Sequence, residues 1–164
     1  MSEVETLLPL SLTVNGLSVR EHAPARLTLV DFLRHRLGLT GSHVGCEHGV
    51  CGACHVRVGG QVVRGCLFLA VQADGTTVET IEGLSASGEI ADLQEAFVRG
   101  NAMQCGFCTP GVLMIAADLV SLDRIVSREE IREALSGNYC RCTGYQAIVD
   151  AIEEVSRARH ARVA

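Results

Sequence analysis

Gln104-Cys105-Gly106-Phe107-Cys108-Thr109-Pro110-Gly111 sets two cysteines directly ahead of a helix. Thr109 reads as the N-cap and Pro110 as the first helical residue, where a missing N–H costs nothing. A second stretch, Gly137-Asn138-Tyr139-Cys140-Arg141-Cys142-Thr143-Gly144, has a similar form. Its Thr143, with Gln146 three residues on, reads as a capping box. Two helix N-termini then aim four thiols at one place. Such termini carry partial positive charge and free N–H groups. Both lower a thiol's pKa, and metals bind the thiolate. The pattern predicts one metal centre on Cys105, Cys108, Cys140 and Cys142.

The segments around these stretches are helical. Ile90, Leu93 and Phe97 share one face, stopped by Gly100. Pro110 to Val120 is apolar nearly all round, which predicts a central, buried helix. Ser127 and Glu130 form a capping box for a third, with Ile131, Ala134 and Leu135 inward and Gly137 as its stop. Tyr145 to about Arg159 is the fourth, with Ile148, Ile152 and Val155 on one face. A small four-helix bundle is the expectation here. Gly83 to Gly88 reads as the linker that precedes it.

Upstream of that linker the periodicity changes. Residues 1–9 read as a loose arm. Leu10, Leu12 and Val14 alternate, Asn15-Gly16 turns, and Leu17 and Val19 alternate again, which is a hairpin. Thr28 and Asp31 open a helix whose apolar face is Leu29, Phe32, Leu33 and Leu37, ended by Gly38. Val56 and Val58 lead to Gly59-Gly60, and Val62 begins a return strand. Val78 and Ile81 predict one more short strand. Strands, a helix and strands again make an α+β pattern.

Cys46, Cys51 and Cys54 follow C-x4-C-x2-C, and Cys66 lies beyond the second hairpin. This is the spacing of plant-type [2Fe–2S] ferredoxins. Structural zinc also takes four cysteines, and one C-x2-C pair is shared with redox dithiols. The second set alone fits zinc and iron–sulfur equally. Arg141, between two of its cysteines, either offsets cluster charge or is a solvated surface residue.

Composition narrows the partners. Net charge is −5 and the basic residues are not clustered, which speaks against nucleic acid. No apolar run approaches membrane-spanning length. The N-terminal MSEVETLLPL has acids where a signal peptide has bases, so a cytoplasmic location is expected. Disulfides are disfavoured there, and eight cysteines then point to metal.

Together the two sets resemble one family, the iron–sulfur (small) subunits of the molybdenum hydroxylases, or xanthine oxidase family. The motifs are GCEHGVCGAC at 45–54, Gly65-Cys66, QCGFCTPG at 104–111 and GNYCRCTGY at 137–145. The match runs in order from about Leu10 to Arg159. The resemblance implies a β-grasp ferredoxin-like domain over 1–83 and a four-helix [2Fe–2S] domain over 84–164. It implies a large partner subunit carrying molybdopterin, which Gln104 and Cys142 approach. A medium subunit carries FAD, and the three-subunit unit is expected to pair into a dimer. Electrons would pass singly from the molybdenum centre through the C-terminal cluster, then the N-terminal one, to FAD. No molybdenum ligand or substrate chemistry is expected on this chain. The HVGCEHGVCGAC loop is similar to that of bacterial N-heterocycle hydroxylases, which leans the substrate that way.

Two positions depart from the family pattern. His55 stands where many relatives carry Thr and reads as an exposed strand residue. Tyr139 stands where Leu is common and reads as one apolar contact exchanged for another. His43 and His48 read as surface positions. Two rivals remain: an adaptor with two structural zinc sites, and a free-standing ferredoxin. A buried second cluster would argue against the latter.

Overall fold

A computed structural model describes residues 6–163. Strands β1 (Leu7–Val14) and β2 (Leu17–Pro24) pair antiparallel from Val14↔Leu17 out to Leu7↔Pro24. Asn15 and Gly16 turn between them at φ 48° and 80°, as a primed hairpin turn requires. Residues 7–9 are thus strand, not loose arm. Alternation hid this, because Leu7 and Leu8 are both exposed beside Pro9. Residues 1–5 of the expected arm lie outside the described residues.

Helix α1 (Leu29–His35) follows, with the Thr28 hydroxyl accepting from Asp31 N at 3.2 Å. Strands β3 (His55–Val58) and β4 (Gln61–Arg64) form the second hairpin, and β5 (Thr77–Glu79) completes the sheet. The order is β2-β1-β5-β3-β4, with β5 parallel to β1 and antiparallel to β3. Leu10, Leu12, Val14, Leu29, Phe32, Leu33, Val56, Val58 and Val78 fill the space between sheet and helix.

Ile81 starts a helix, α2 (Ile81–Ser87), and does not extend the strand. That helix occupies the expected linker. Ile81 and Leu84, three apart, bury one face in the helical core. Gly83 is small for a packing reason. A Cβ there would lie 2.2 Å from Asn15 Oδ1, and the Asn15 amide holds Thr80 through N–H at 2.9 Å and hydroxyl at 3.0 Å. Close approach, not flexibility, explains this residue.

Then come α3 (Ala91–Arg99), α4 (Thr109–Val120), α5 (Arg128–Ala134) and α6 (Gln146–Val163). The Ser127–Glu130 capping box forms as expected. Helix α4 buries Gly111, Val112, Leu113, Met114, Ala116, Ala117 and Val120, and packs on α2, α3, α5 and α6. It also packs on β3 and β4, so β3 is covered on both faces. Among the described residues the protein is a mixed α/β structure with a five-stranded sheet and six helices.

Candidate metal centres

The first centre sits in the loop between α1 and β3. Cys46 Sγ accepts from Val50 N at 3.3 Å and Cys51 N at 3.4 Å. The Cys51 N–H leads in holding the Cys46 thiol down at about 6, against a smaller effect of burial. Cys54 ends the loop and Cys66 follows β4. Both are buried. Burial pushes the Cys54 thiol up to about 12, and the charge of Cys66 beside it adds to that. A buried thiol at that value needs a metal cation to become a ligand.

The second centre is assembled from three segments. Cys108, not Thr109, is the N-cap of α4, and Pro110 is one position further in. Burial pushes the Cys108 thiol to about 12, with Cys140 next to it. Burial is the largest single influence on Cys140 and raises its pKa, but hydrogen bonds from Thr143, the Cys142 backbone and Cys108 together leave that thiol lowered. The Thr143 hydroxyl donates to Cys140 Sγ at 3.1 Å and its N–H does so at 3.4 Å. Thr143 is therefore no capping box for α6. The chain turns at Tyr145, φ 68°, and α6 begins at Gln146. Cys105 and Cys142 are exposed with sulfurs 3.6 Å apart, and the Cys105 thiol raises the pKa of Cys142. Gln104 is exposed beside them. The second centre thus reaches the surface, which removes burial as an argument against a lone carrier.

The thiols come in pairs. Cys46 interacts with Cys51 and Cys54 with Cys66, Cys105 with Cys142 and Cys108 with Cys140. Among the described residues no three ligating side chains gather as one metal ion needs. Cys51 also acts on Cys54, Cys105 on Cys108 and Cys140 on Cys142, so the thiols of each set of four stand near one another.

Other residues differ from expectation. His55 is only 6% exposed, because α4 covers the face of β3 that alternation assigns to solvent. Burial pushes its imidazole down to about 4, Arg64 adds to this, and a hydrogen bond with the Gly111 backbone opposes it. The ring is neutral. Tyr139 is 57% exposed and replaces no core contact. His43 is half-buried, stacks on Phe107 at 4.7 Å, and places Nδ1 2.8 Å from Phe107 O. His48 and Arg141 are exposed.

Both halves define binding domains for [2Fe–2S] clusters. Residues 12–82 match the family described as "2Fe-2S iron-sulfur cluster binding domain", and residues 80–153 match "[2Fe-2S] binding domain". The chain is 51% identical to the caffeine dehydrogenase subunit gamma of Pseudomonas sp. (strain CBB1) over 150 residues, 90% of each chain. It is 38% identical to the xanthine dehydrogenase iron-sulfur-binding subunit of Escherichia coli O157:H7, over 97% of this chain and 100% of that one. The crystal structure of quinoline 2-oxidoreductase from Pseudomonas putida 86 superposes with TM-score 0.86 at 46% identity, covering 94% of this chain and 97% of that one. A double [2Fe–2S] electron-transfer protein is the class these features define. Within it, the chain belongs to the iron–sulfur small subunits of the molybdenum hydroxylases. It is the electron-transfer subunit of an oxidoreductase and carries two [2Fe–2S] clusters.

Proposed function

We propose that Cys46, Cys51, Cys54 and Cys66 hold one cluster and that Cys105, Cys108, Cys140 and Cys142 hold the other. Each cluster, when bound, accepts and releases one electron at a time. The pairing of the thiols supports these sets. The cores support a division into two domains close to the expected 1–83 and 84–164, with the change falling between Val78 and Ile81, since one core runs from Leu10 to Val78 and the other from Ile81 to Val155. Helices α3 to α6 are then the four-helix bundle, with α2 as its lead-in, and residues 1–83 are the β-grasp domain.

The observation that carries the wiring is the join between the two cysteine loops. Tyr139 N donates to Cys51 O at 2.9 Å, one residue before Cys140. A ligand of one centre thus reaches the neighbour of a ligand of the other through one hydrogen bond. The exposed thiols Cys105 and Cys142, with Gln104, face a large molybdopterin-bearing subunit. The other centre serves a medium subunit that carries FAD. The complex is a dimer of three-subunit units in the cytoplasm. Among the described residues no helix is long and apolar enough to cross a membrane. Its substrate is an N-heterocycle, a reading supported by the relatives named for caffeine and quinoline. Metal analysis of the native complex tests the ligand sets. Four irons and four labile sulfides per small subunit are expected; two zincs without iron would sink the reading. Turnover of heteroaromatic compounds, against aldehydes as control, tests the substrate.

A further inference from the structure

One buried residue joins the second centre's segment to the first centre's loop. Asn138 is 1% exposed. Its Nδ2 donates to Gly52 O at 3.2 Å, between Cys51 and Cys54. Its backbone carbonyl accepts from the Tyr145 phenol at 2.9 Å, and that phenol oxygen accepts from Cys140 N at 2.8 Å. The N–H of the next residue, Tyr139, holds Cys51 O.

The backbone is shaped to admit this residue. A Cβ on Gly52 would lie 2.4 Å from Gly137 O and 2.9 Å from Asn138 Cγ. A Cβ on Gly111, in the first turn of α4, would lie 2.2 Å from Gly52 O and 3.2 Å from Asn138 Nδ2. Three strands of chain therefore cross at van der Waals distance with Asn138 between them. Ordinary side chains at 52 or 111 would push the loops apart.

We infer that Asn138 is a positioning residue for electron transfer, which fixes the distance and orientation between the two cysteine loops. The chemistry asks for an uncharged donor, and the Asn138 Oδ1 is buried without a partner among the described residues. Gly52 O needs a donor, so a carboxylate at this place would set oxygen against oxygen. An alanine would remove this link and leave the Tyr139 N–H bond to Cys51 O and the His43–Phe107 stack. The Tyr145 phenol transmits the placement. It ties the Asn138 carbonyl to the Cys140 N–H, so a shift of Asn138 moves the Cys140 backbone too. This inference rests on the ligand sets proposed above.

The test uses the native complex carrying Asn138→Ala, with three readouts: iron and sulfide content, the magnetic splitting between the two reduced clusters, and hydrogen exchange at the Tyr139 amide. A wild-type complex without four irons per small subunit would sink the ligand sets, before any variant is made. With those sets in place, the variant should keep its iron and lose most of the splitting. Its Tyr139 amide should exchange roughly tenfold faster, the change expected when one hydrogen bond of ordinary strength goes. Full iron with wild-type splitting and exchange overturns the inference. If Asn138→Ala loses iron, Asn138→Leu takes its place, since it comes close to the same shape and lacks the donor without adding a charge. The same two outcomes then decide. Iron loss from both variants also overturns the inference, because Asn138 would then be needed to hold a cluster and not to place one loop on another.

Discussion

Cys51 and Tyr139 are joined by one backbone hydrogen bond of 2.9 Å that spans the two cysteine loops. The two segments also meet where Asn138 Nδ2 donates to Gly52 O and where His43 stacks on Phe107. The two centres share this seam, yet the proposed ligand sets give each its own four thiols. Cys54→Ser should therefore abolish the electron paramagnetic resonance signal of the first cluster and leave that of the second. Cys108→Ser should do the reverse. Loss of both signals from either variant, with the chain still folded, would show that the sets are not independent.

Arg57 ties the sheet to the helices. Its guanidinium, 11% exposed, meets Asp118 on α4 at 2.9 Å, Glu79 at 3.1 Å and Glu89 at 3.1 Å. These hydrogen bonds keep its pKa raised despite burial. Arg57→Met should cost on the order of 2 kcal/mol, below the usual loss for a fully buried pair because the carboxylates retain water. For a chain of this size that is a fall of about 4–8 °C in the melting midpoint. An unchanged midpoint would show that the network adds nothing beyond packing.

Helix α3 is tied to α6 by Arg159, which meets Asp92 at 2.7 Å. The hydrogen bond from Arg159 holds the Asp92 carboxyl below its usual value. A carboxyl lowered in the folded state stabilises above its unfolded pKa, about 3.9, and that stability is lost as pH falls through the folded value. Arg159→Met should lower the melting midpoint at neutral pH and flatten its decline below about pH 4. Melting curves that keep the wild-type slope through the acid range would show no such linkage.

The eight cysteines were legible in the sequence because their spacing is a property of chain order. Both hairpins and the α1 cap were legible from turn and cap residues that act locally. His55 was not, since its burial comes from α4, more than fifty residues away in the chain. Helix α2 was hidden because Gly83 and its small neighbours look like a linker. The size of Gly83 answers to Asn15, in the turn between β1 and β2. Thr143 misled for a related reason. Its hydroxyl has two possible duties, and the sulfur of Cys140 takes it from the helix.

That duty yields a prediction of its own. The Thr143 hydroxyl donates to Cys140 Sγ, and a donor on a ligand sulfur favours the more negative, reduced state of a cluster. Thr143→Val keeps the shape and removes the donor. The potential of the second cluster should fall by about 40 mV, the one-electron equivalent of about 1 kcal/mol for a lost hydrogen bond. Thr143→Ser should restore it. Equal potentials in all three proteins would show that the hydroxyl serves only the turn.

Gln104 carries the last prediction. It precedes Cys105, is exposed, and its side chain makes no hydrogen bond with the described residues. A role in satisfying the backbone of its own loop therefore has no support in the structure. An amide that is free to donate and accept at once suits the edge of a pterin, which offers both kinds of group. Gln104→Ala should then leave stability and iron content unchanged, because nothing among the described residues depends on that amide. Reduction of the clusters by substrate should slow, or the complex should retain less molybdenum. Stopped-flow reduction, with iron and molybdenum measured on the same sample, separates the outcomes. Lost iron would return Gln104 to a structural duty in the loop. Wild-type rates with full molybdenum would remove it from the path between the subunits.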